Sequence, residues 1–215
     1  MSKDRDTKTE DVELIKDAKE KAERESENGI RQFRAAERII IDNLGNDDFR
    51  LTQAIIFKLH IEALKGIHPF AGTYRNTYAE IANSKHETAH HLDIADLMAE
   101  MCHYVNSNWK ERSALYLAAY VMWRLNWIHP FADGNGRTAR TLSYLVLSAK
   151  LKSLLPGAPA IPDLIDADKE PYYAALESAD DIWKRNKIVA IGTMESLLEK
   201  MLARQLESAT QQAGL

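Results

Sequence analysis

The chain has 215 residues, a formal net charge of −4 at pH 7, 28% charged residues and a single cysteine. This length is enough for one sizeable hydrophobic core, and the charge gives no basis for general nucleic-acid binding. The lone Cys102 excludes an internal disulfide bond and fits a reducing compartment, and its helical context predicts a buried, inert thiol.

The polarity of the first residues and the length of the apolar runs predict a soluble, cytoplasmic protein. Residues 1 to 12 are almost entirely charged or polar, unlike a signal peptide, and residues 1 to 10 are expected to be disordered. The longest apolar run, Ala114 to Trp123, is too short to span a bilayer. We therefore expect neither a membrane nor a nucleic acid among the partners.

The spacing of apolar residues predicts four helices ahead of residue 128. The first runs from Val12 to about Leu44 and is expected to break around Ser26 to Gly29. The other three are Leu51 to Gly66, Ile94 to Trp109 and Glu111 to Trp127. Residues 72 to 91 lack this period, and their Thr and Tyr residues surround an Ala-Asn-Ser-Lys turn, which predicts a β-hairpin.

Several histidines precede residue 128, and each is interpreted as structural. His60 lies in a helical pattern and is expected at the core or its boundary, whereas His68 opens an IHPFAG segment that lacks phosphate-binding companions. His86, His90 and His91 lack the spacing of metal ligands, so we expect them in an exposed loop.

A further helix is predicted to begin near Arg137, followed by a proline-rich connection at residues 155 to 163. Helices are then expected over residues 172 to 185 and from Ile188 to Leu206. The chain accordingly divides into a helical extension (1–45), a main domain (46–205) and a polar tail (206–215).

Residues 128 to 140, IHPFADGNGRTAR, concentrate the chemistry of the sequence between two predicted helices. Unpaired N–H groups at a helix N-terminus bind anions, and the glycines allow a close approach of backbone to phosphate. Arg137 and Arg140 can both contact phosphate oxygens, Asp133 is an oxygen ligand of the kind that Mg²⁺ uses, and His129 can accept a proton. The stretch predicts a polyphosphate site.

Two other phosphate or metal motifs fit this stretch less well. Gly134, Gly136 and Ala139 match a dinucleotide fingerprint, but a helix rather than a strand precedes them and the expected acidic residue is missing. A calcium loop would need oxygen ligands where Arg137 and Tyr144 stand. Both alternatives are rejected.

The stretch resembles the Fic motif, H-x-F-x-[DE]-G-N-G-R-x-x-R, at every fixed position, and the resemblance covers about Arg50 to Arg185. It implies an all-α Fic fold, a helical bundle with a short β-hairpin flap. It also implies transfer of AMP from Mg-ATP to a protein hydroxyl. In that reading His129 is the general base, Asp133 holds Mg²⁺ and Phe131 anchors the loop. The nucleotide-binding set implied by the resemblance is Asp133, Gly134, Asn135, Gly136, Arg137, Thr138, Ala139, Arg140, Tyr172 and Asp180.

The resemblance also implies roles for residues outside the motif. Ile81, Ala82, Asn83 and Ser84 are the flap candidates, where a target segment would pair by strand addition. Tyr172 and Asp180 would face the nucleoside, with packing of Tyr172 into the core as the alternative. An inhibitory glutamate is suggested at Glu27, where it would pair with Arg140; the pattern matches only in part, and Glu25 is its rival.

The sequence therefore predicts a protein adenylyltransferase that modifies Ser, Thr or Tyr of a target protein, with self-modification included. Related Doc kinases carry bulk in place of Gly136, which favours nucleotidyl transfer here. The alternatives are removal of AMP, transfer of another nucleotide or phosphate group, and a nucleotide-binding signalling module without turnover. The presence of His129 argues against the last of these.

Overall fold

The structure is a computed structural model that describes residue 5, residues 7 and 8, and residues 14 to 214. The described residues form an all-α bundle, as the sequence predicts, with two very short strands. Its helices are α1 (Ala18–Asp42), α2 (Gln53–Leu64), α3 (Ile94–Ser107), α4 (Ala114–Ile128), α5 (Asn135–Leu151), α6 (Ile161–Ala167), α7 (Glu170–Asn186) and α8 (Gly192–Gln212). The strands are β1 (Thr7–Lys8) and β2 (Glu80–Ile81).

Helices α4 and α5 form the centre of the bundle and pack against each other. Nearly every side chain of α4 from Leu117 to Leu125 is buried, which is the property of a helix surrounded by others. Helices α3, α7 and α8 cover α4, while α1, α2 and α6 cover α5. The loop between the two central helices is therefore flanked on both sides by helices that other helices cover.

Helix α1 is continuous, so the predicted break at Ser26 to Gly29 is wrong. Asn28 is fully buried, and its amide Nδ2 donates to the backbone carbonyls of Ala63 and Lys65 at the end of α2. These tertiary bonds satisfy the amide N–H groups of a residue that would otherwise favour a turn, and they outweigh the low helix propensity of Asn and Gly. The helix also contributes Ala36, Ile39 and Ile40 to the main hydrophobic core.

The predicted hairpin within residues 72 to 91 is also wrong in its pairing. Strand β2 pairs in antiparallel fashion with β1, with Thr7 opposite Ile81 and Lys8 opposite Glu80. The segment around Thr88 and Ala89, which was predicted to form the second strand, is held by side chains instead. The Thr88 hydroxyl donates to the Ala79 carbonyl at 2.7 Å, and Arg75 donates to the Ala89 carbonyl.

Two further differences from the sequence-based expectation concern helix bounds. Helix α6 begins inside the proline-rich connection, because a proline in the first helical turn removes only an N–H that has no intrahelical partner. Helix α8 continues to Gln212, into the predicted polar tail. None of the helices in the described part of the chain is long and apolar enough to cross a membrane.

Candidate active site

His129 ends helix α4 in a left-handed backbone conformation, with φ 54° and ψ 58°. Its N–H group still donates to the Leu125 carbonyl at 2.9 Å, so the helix is intact up to this residue. A positive φ is uncommon for a residue with a side chain and needs support from its surroundings. The turn points the imidazole away from the axis of α4.

Arg75 supplies that support. Its buried guanidinium donates from Nε to the His129 carbonyl at 2.7 Å and from Nη1 to the Thr77 carbonyl at 2.7 Å. Its backbone N–H donates to the Pro130 carbonyl at 2.9 Å. The sequence predicts no role for Arg75, whereas in the structure this side chain holds the His129 turn in place.

Burial, reinforced by the nearby Arg75 guanidinium, lowers the pKa of His129 to about 3. The imidazole is therefore neutral at pH 7 and has one nitrogen available as a proton acceptor. Its Nε2 atom lies 2.8 Å from the hydroxyl of Thr7 in β1. The tautomer that carries its proton on Nδ1 accepts a hydrogen bond at this position.

The loop after His129 is fixed by reciprocal hydrogen bonds. The Asn135 side chain accepts from the Phe131 N–H at 2.9 Å and donates to the Phe131 carbonyl at 2.8 Å. Phe131 is fully buried and stacks on His60, with ring centroids 3.7 Å apart. His60 bonds the Asp133 carbonyl through Nε2 at 2.9 Å and accepts from the Gly72 N–H at 2.9 Å. The prediction of a satisfied, buried His60 is confirmed.

Gly134 is the N-cap residue of helix α5, and its conformation and surroundings require glycine. It has φ +75°, and a Cβ atom would lie 2.4 Å from Cδ2 of Leu64. This turn directs the first N–H groups of α5, which start at Asn135, towards the space beside His129. Such groups have no intrahelical partner, and the helix dipole gives them positive partial charge. The loop is therefore a candidate anion site, as the sequence predicts.

Both motif arginines are held by carboxylates. Arg137 lies between Asp133, at 3.1 Å, and Glu25 of α1, at 3.3 Å. Arg140 donates to Asp166 of α6 at 2.8 Å. The expected contact between Glu27 and Arg140 is therefore wrong, because the Glu27 carboxylate lies on the surface, 3.8 Å from Arg24.

A cavity of about 660 Å³ connects these groups. Its size is within the range of small-molecule and cofactor sites. The cavity is lined by His129, Asp133, Gly134, Asn135, Gly136, Arg137, Arg140, Tyr172 and Asp180 from the predicted set, together with Thr7, Glu25 and Asp166. The predicted Thr138 and Ala139 do not line it, because both are fully buried in the core.

The predicted nucleoside-facing residues form the wall of the cavity on α7. Tyr172 is almost fully buried, and burial raises the pKa of its phenol to about 12, so it is neutral. Asp180 is already bound on two sides: it accepts from the Trp123 indole at 2.8 Å and faces His86 Nδ1 at 3.3 Å. Burial raises the pKa of Asp180 while His86 lowers it. The carboxylate is thus less available than the sequence suggested.

His86 corrects another expectation, since it does not belong to an exposed loop. Its side chain is 10% exposed and bridges Asp180 and the Trp127 carbonyl, the latter at 2.8 Å from Nε2. Among the described residues, no group of three His, Cys, Asp or Glu side chains could hold a metal ion. Asp133 offers a carboxylate at the helix N-terminus, a donor that fits Mg²⁺ when phosphates supply further ligands.

The flap candidates occupy the opposite side of the cavity mouth. Ile81 is in β2, while Ala82 and Asn83 form the turn that follows, with Asn83 at φ 57°. Ser84 donates its N–H to the Ile81 carbonyl at 3.3 Å. Ile81 and Ser84 both line the cavity, so the edge of β2 borders the space in front of His129.

Fold and site together define an α-helical protein with a candidate anion site in the loop between its two central helices. Residues 50–147 match the Fic/DOC family. The solved Fic domain containing signaling protein of Bacteroides thetaiotaomicron superposes with a TM-score of 0.70 at 21% identity, covering 87% of this chain and 73% of that one. Fic-1 (residues 134–508) of C. elegans gives a TM-score of 0.64 at 21% identity, covering 87% of this chain and 52% of that one.

The sequence is also similar to proteins named protein adenylyltransferase Fic. The one from Drosophila grimshawi is 31% identical over 136 residues, which is 61% of this chain and 26% of that protein. The one from Nematostella vectensis is 32% identical over 129 residues, which is 58% of this chain and 28% of that protein. The chain thus spans about a quarter of the length of these relatives. The matched part of the chain, residues 50–147, is a Fic/DOC domain.

Proposed function

We propose that this protein transfers AMP from ATP to a hydroxyl group of a protein. One observation carries the proposal: a neutral, buried His129 contacts a strand-held hydroxyl at the edge of a cavity that also contains a helix N-terminus and two arginines. The cavity thus combines a base, an acceptor position and a polyphosphate site. The relatives named protein adenylyltransferase support this reading.

In the proposed reaction, Nε2 of His129 takes the proton of the acceptor hydroxyl. The hydroxyl oxygen bonds to the α-phosphorus of ATP, the bond from that phosphorus to the bridging oxygen breaks, and pyrophosphate leaves. The N–H groups of the first turn of α5 and the guanidinium groups of Arg137 and Arg140 stabilise the negative charge that develops on the phosphates. For this, both arginines must exchange carboxylate partners for phosphate oxygens.

The remaining parts of the cavity have proposed roles in binding. Tyr172 supplies an apolar wall for the nucleoside, and the bound state of Asp180 makes it a weaker partner for the base. Mg²⁺ would be held by Asp133, where it would neutralise phosphate charge and orient the leaving group. The target segment would add to the edge of β2, with Ile81 to Ser84 as the docking site for a Ser, Thr or Tyr hydroxyl.

Labelled nucleotides test the proposal. We expect label from α-labelled ATP to appear on protein, and label from γ-labelled ATP to stay in solution. His129→Ala should lower the transfer rate by about 10² to 10⁴, the usual contribution of a general base, while ATP affinity changes little.

His103→Ala is the matched control, because this histidine is exposed on α3 and does not line the cavity. Protein label from the γ position alone would mean a kinase. Unchanged transfer by the His129 variant would remove His129 from the role of base.

A further inference from the structure

The first described residues of the chain occupy the position in which a target segment would dock. Strand β1 adds to the free edge of β2 in antiparallel register, with Thr7 opposite Ile81. An extended segment that pairs with a sheet edge is held by backbone hydrogen bonds and presents alternate side chains to one face. Here that segment comes from the same chain, and the side chain of β1 that lines the cavity next to His129 is Thr7.

The contacts of Thr7 are those of an acceptor hydroxyl. Its Oγ1 lies 2.8 Å from His129 Nε2, and Nδ2 of Asn135 donates to it at 3.4 Å. A hydroxyl has one proton to donate, so an oxygen that accepts from Asn135 can direct its own proton at His129. The neutral imidazole is the partner that can take that proton.

Arg5 contacts helix α7 through both its side chain and its backbone. Its guanidinium forms an ion pair with Glu177 of α7 and lies over the ring of Tyr173, 4.3 Å from the centroid. Its backbone N–H donates to the Tyr173 hydroxyl at 3.4 Å. Arg5 and Thr7 both line the cavity, Arg5 against α7 and Thr7 against His129.

We infer that Thr7 is the self-modification site of this protein and receives AMP within the same chain. This inference rests on the proposed function. The Thr7 proton passes to His129 Nε2, the Oγ1–phosphorus bond forms at the α-phosphate of ATP, and the bond to the departing pyrophosphate breaks. Since the acceptor is already paired with β2, the reaction needs no encounter between molecules, and its rate per molecule does not depend on protein concentration.

To test this inference, the full chain is incubated with α-labelled ATP and Mg²⁺, and the modified residue is mapped by mass spectrometry. We expect the label on Thr7, loss of at least 10-fold in Thr7→Val, and retention in Thr7→Ser, which keeps the hydroxyl. Thr210→Val is the matched control, because Thr210 is exposed near the end of α8 and its hydroxyl donates to the Leu206 carbonyl of its own helix. The initial rate per molecule should stay constant over a 100-fold dilution.

In a parallel reaction, proteins of a cell lysate are incubated with the wild type and with the Glu25→Gln variant, which lacks the carboxylate that pairs with Arg137. Label on another residue of the chain, undiminished in Thr7→Val, overturns the inference and leaves the proposed function intact. Label on lysate proteins without label on Thr7 does the same. Absence of α-label from both the chain and the lysate proteins overturns the inference together with the proposed function. A labelling rate that rises in proportion to protein concentration overturns modification within the same chain.

Discussion

Replacing Glu25 by glutamine should strengthen ATP binding, because Glu25 holds one of the two arginines that the phosphates need. The carboxylate lies 3.3 Å from Nη1 of Arg137, across the cavity from the α5 N-terminus. Glutamine keeps the shape of the side chain and removes its charge. In the variant, Arg137 keeps its contact with Asp133 and is released from α1.

The exposure of the two side chains sets the size of the effect. Arg137 is 25% exposed and Glu25 is 38% exposed, so water screens the pair and its contribution lies near the value of exposed ion pairs rather than buried ones. A contact of this kind is worth about 0.5 to 1 kcal/mol, which corresponds to roughly a 2- to 5-fold gain in affinity. The gain should shrink at high salt, because screening weakens the pair in the unmodified protein.

Calorimetric titration of ATP with Mg²⁺ measures this gain directly. The matched control is Glu27→Gln, which removes the same charge from the same helix at a side chain that lies 3.8 Å from Arg24. We expect the control to bind ATP like the wild type. The reasoning would be refuted by tighter binding in the Glu27 variant with none in the Glu25 variant, or by equal gains in both, which would indicate a general charge effect.

Two further predictions concern pH and backbone conformation. Because burial lowers the pKa of His129 to about 3, the imidazole stays neutral as pH falls, and the transfer rate should be flat from pH 8 to pH 5. With an ordinary histidine as base, the transfer rate would fall roughly 30-fold by pH 5. A midpoint near pH 6.5 in the measured rate profile would therefore contradict the prediction. Gly134→Ala should lower the free energy of unfolding by about 1 to 3 kcal/mol in denaturant titrations, because of the positive φ at this position and the clash with Leu64. Gly29→Ala should instead raise it by about 0.5 to 1 kcal/mol, because Gly29 lies inside α1 and a Cβ atom there would have nothing to clash with. Equal effects of the two variants would contradict the assigned conformations.

The sequence by itself determined the helical class and the chemistry of the loop between α4 and α5. Both depend on local order: apolar periodicity sets the buried faces of helices, and the motif brings its base, carboxylate and arginines together within thirteen residues. Contacts among residues so close along the chain follow from one turn and one helix start. The family resemblance was carried by the same short stretch.

Only the tertiary structure decided which glutamate faces the cavity. Successive residues of a helix are about 100° apart, so positions 25 and 27 of a continuous α1 point in nearly opposite directions. A predicted break at Ser26 to Gly29 removed this constraint and left both residues as candidates. The break is absent because Asn28 finds buried partners at the end of α2, thirty-five residues or more along the chain, a contact that no local pattern encodes.

The same reason explains the other contacts that the sequence did not reveal. Arg75 bonds the His129 carbonyl across 54 residues of chain, His60 bonds the Asp133 carbonyl across 73, and Thr7 reaches His129 across 122. Each is a single polar residue whose type is common at protein surfaces, and its role comes from where the bundle brings it. The sequence therefore specifies the loop and its candidate catalytic groups, while the packing of the helices specifies which side chains hold the loop, which carboxylates pair with its arginines and which hydroxyl lies against His129.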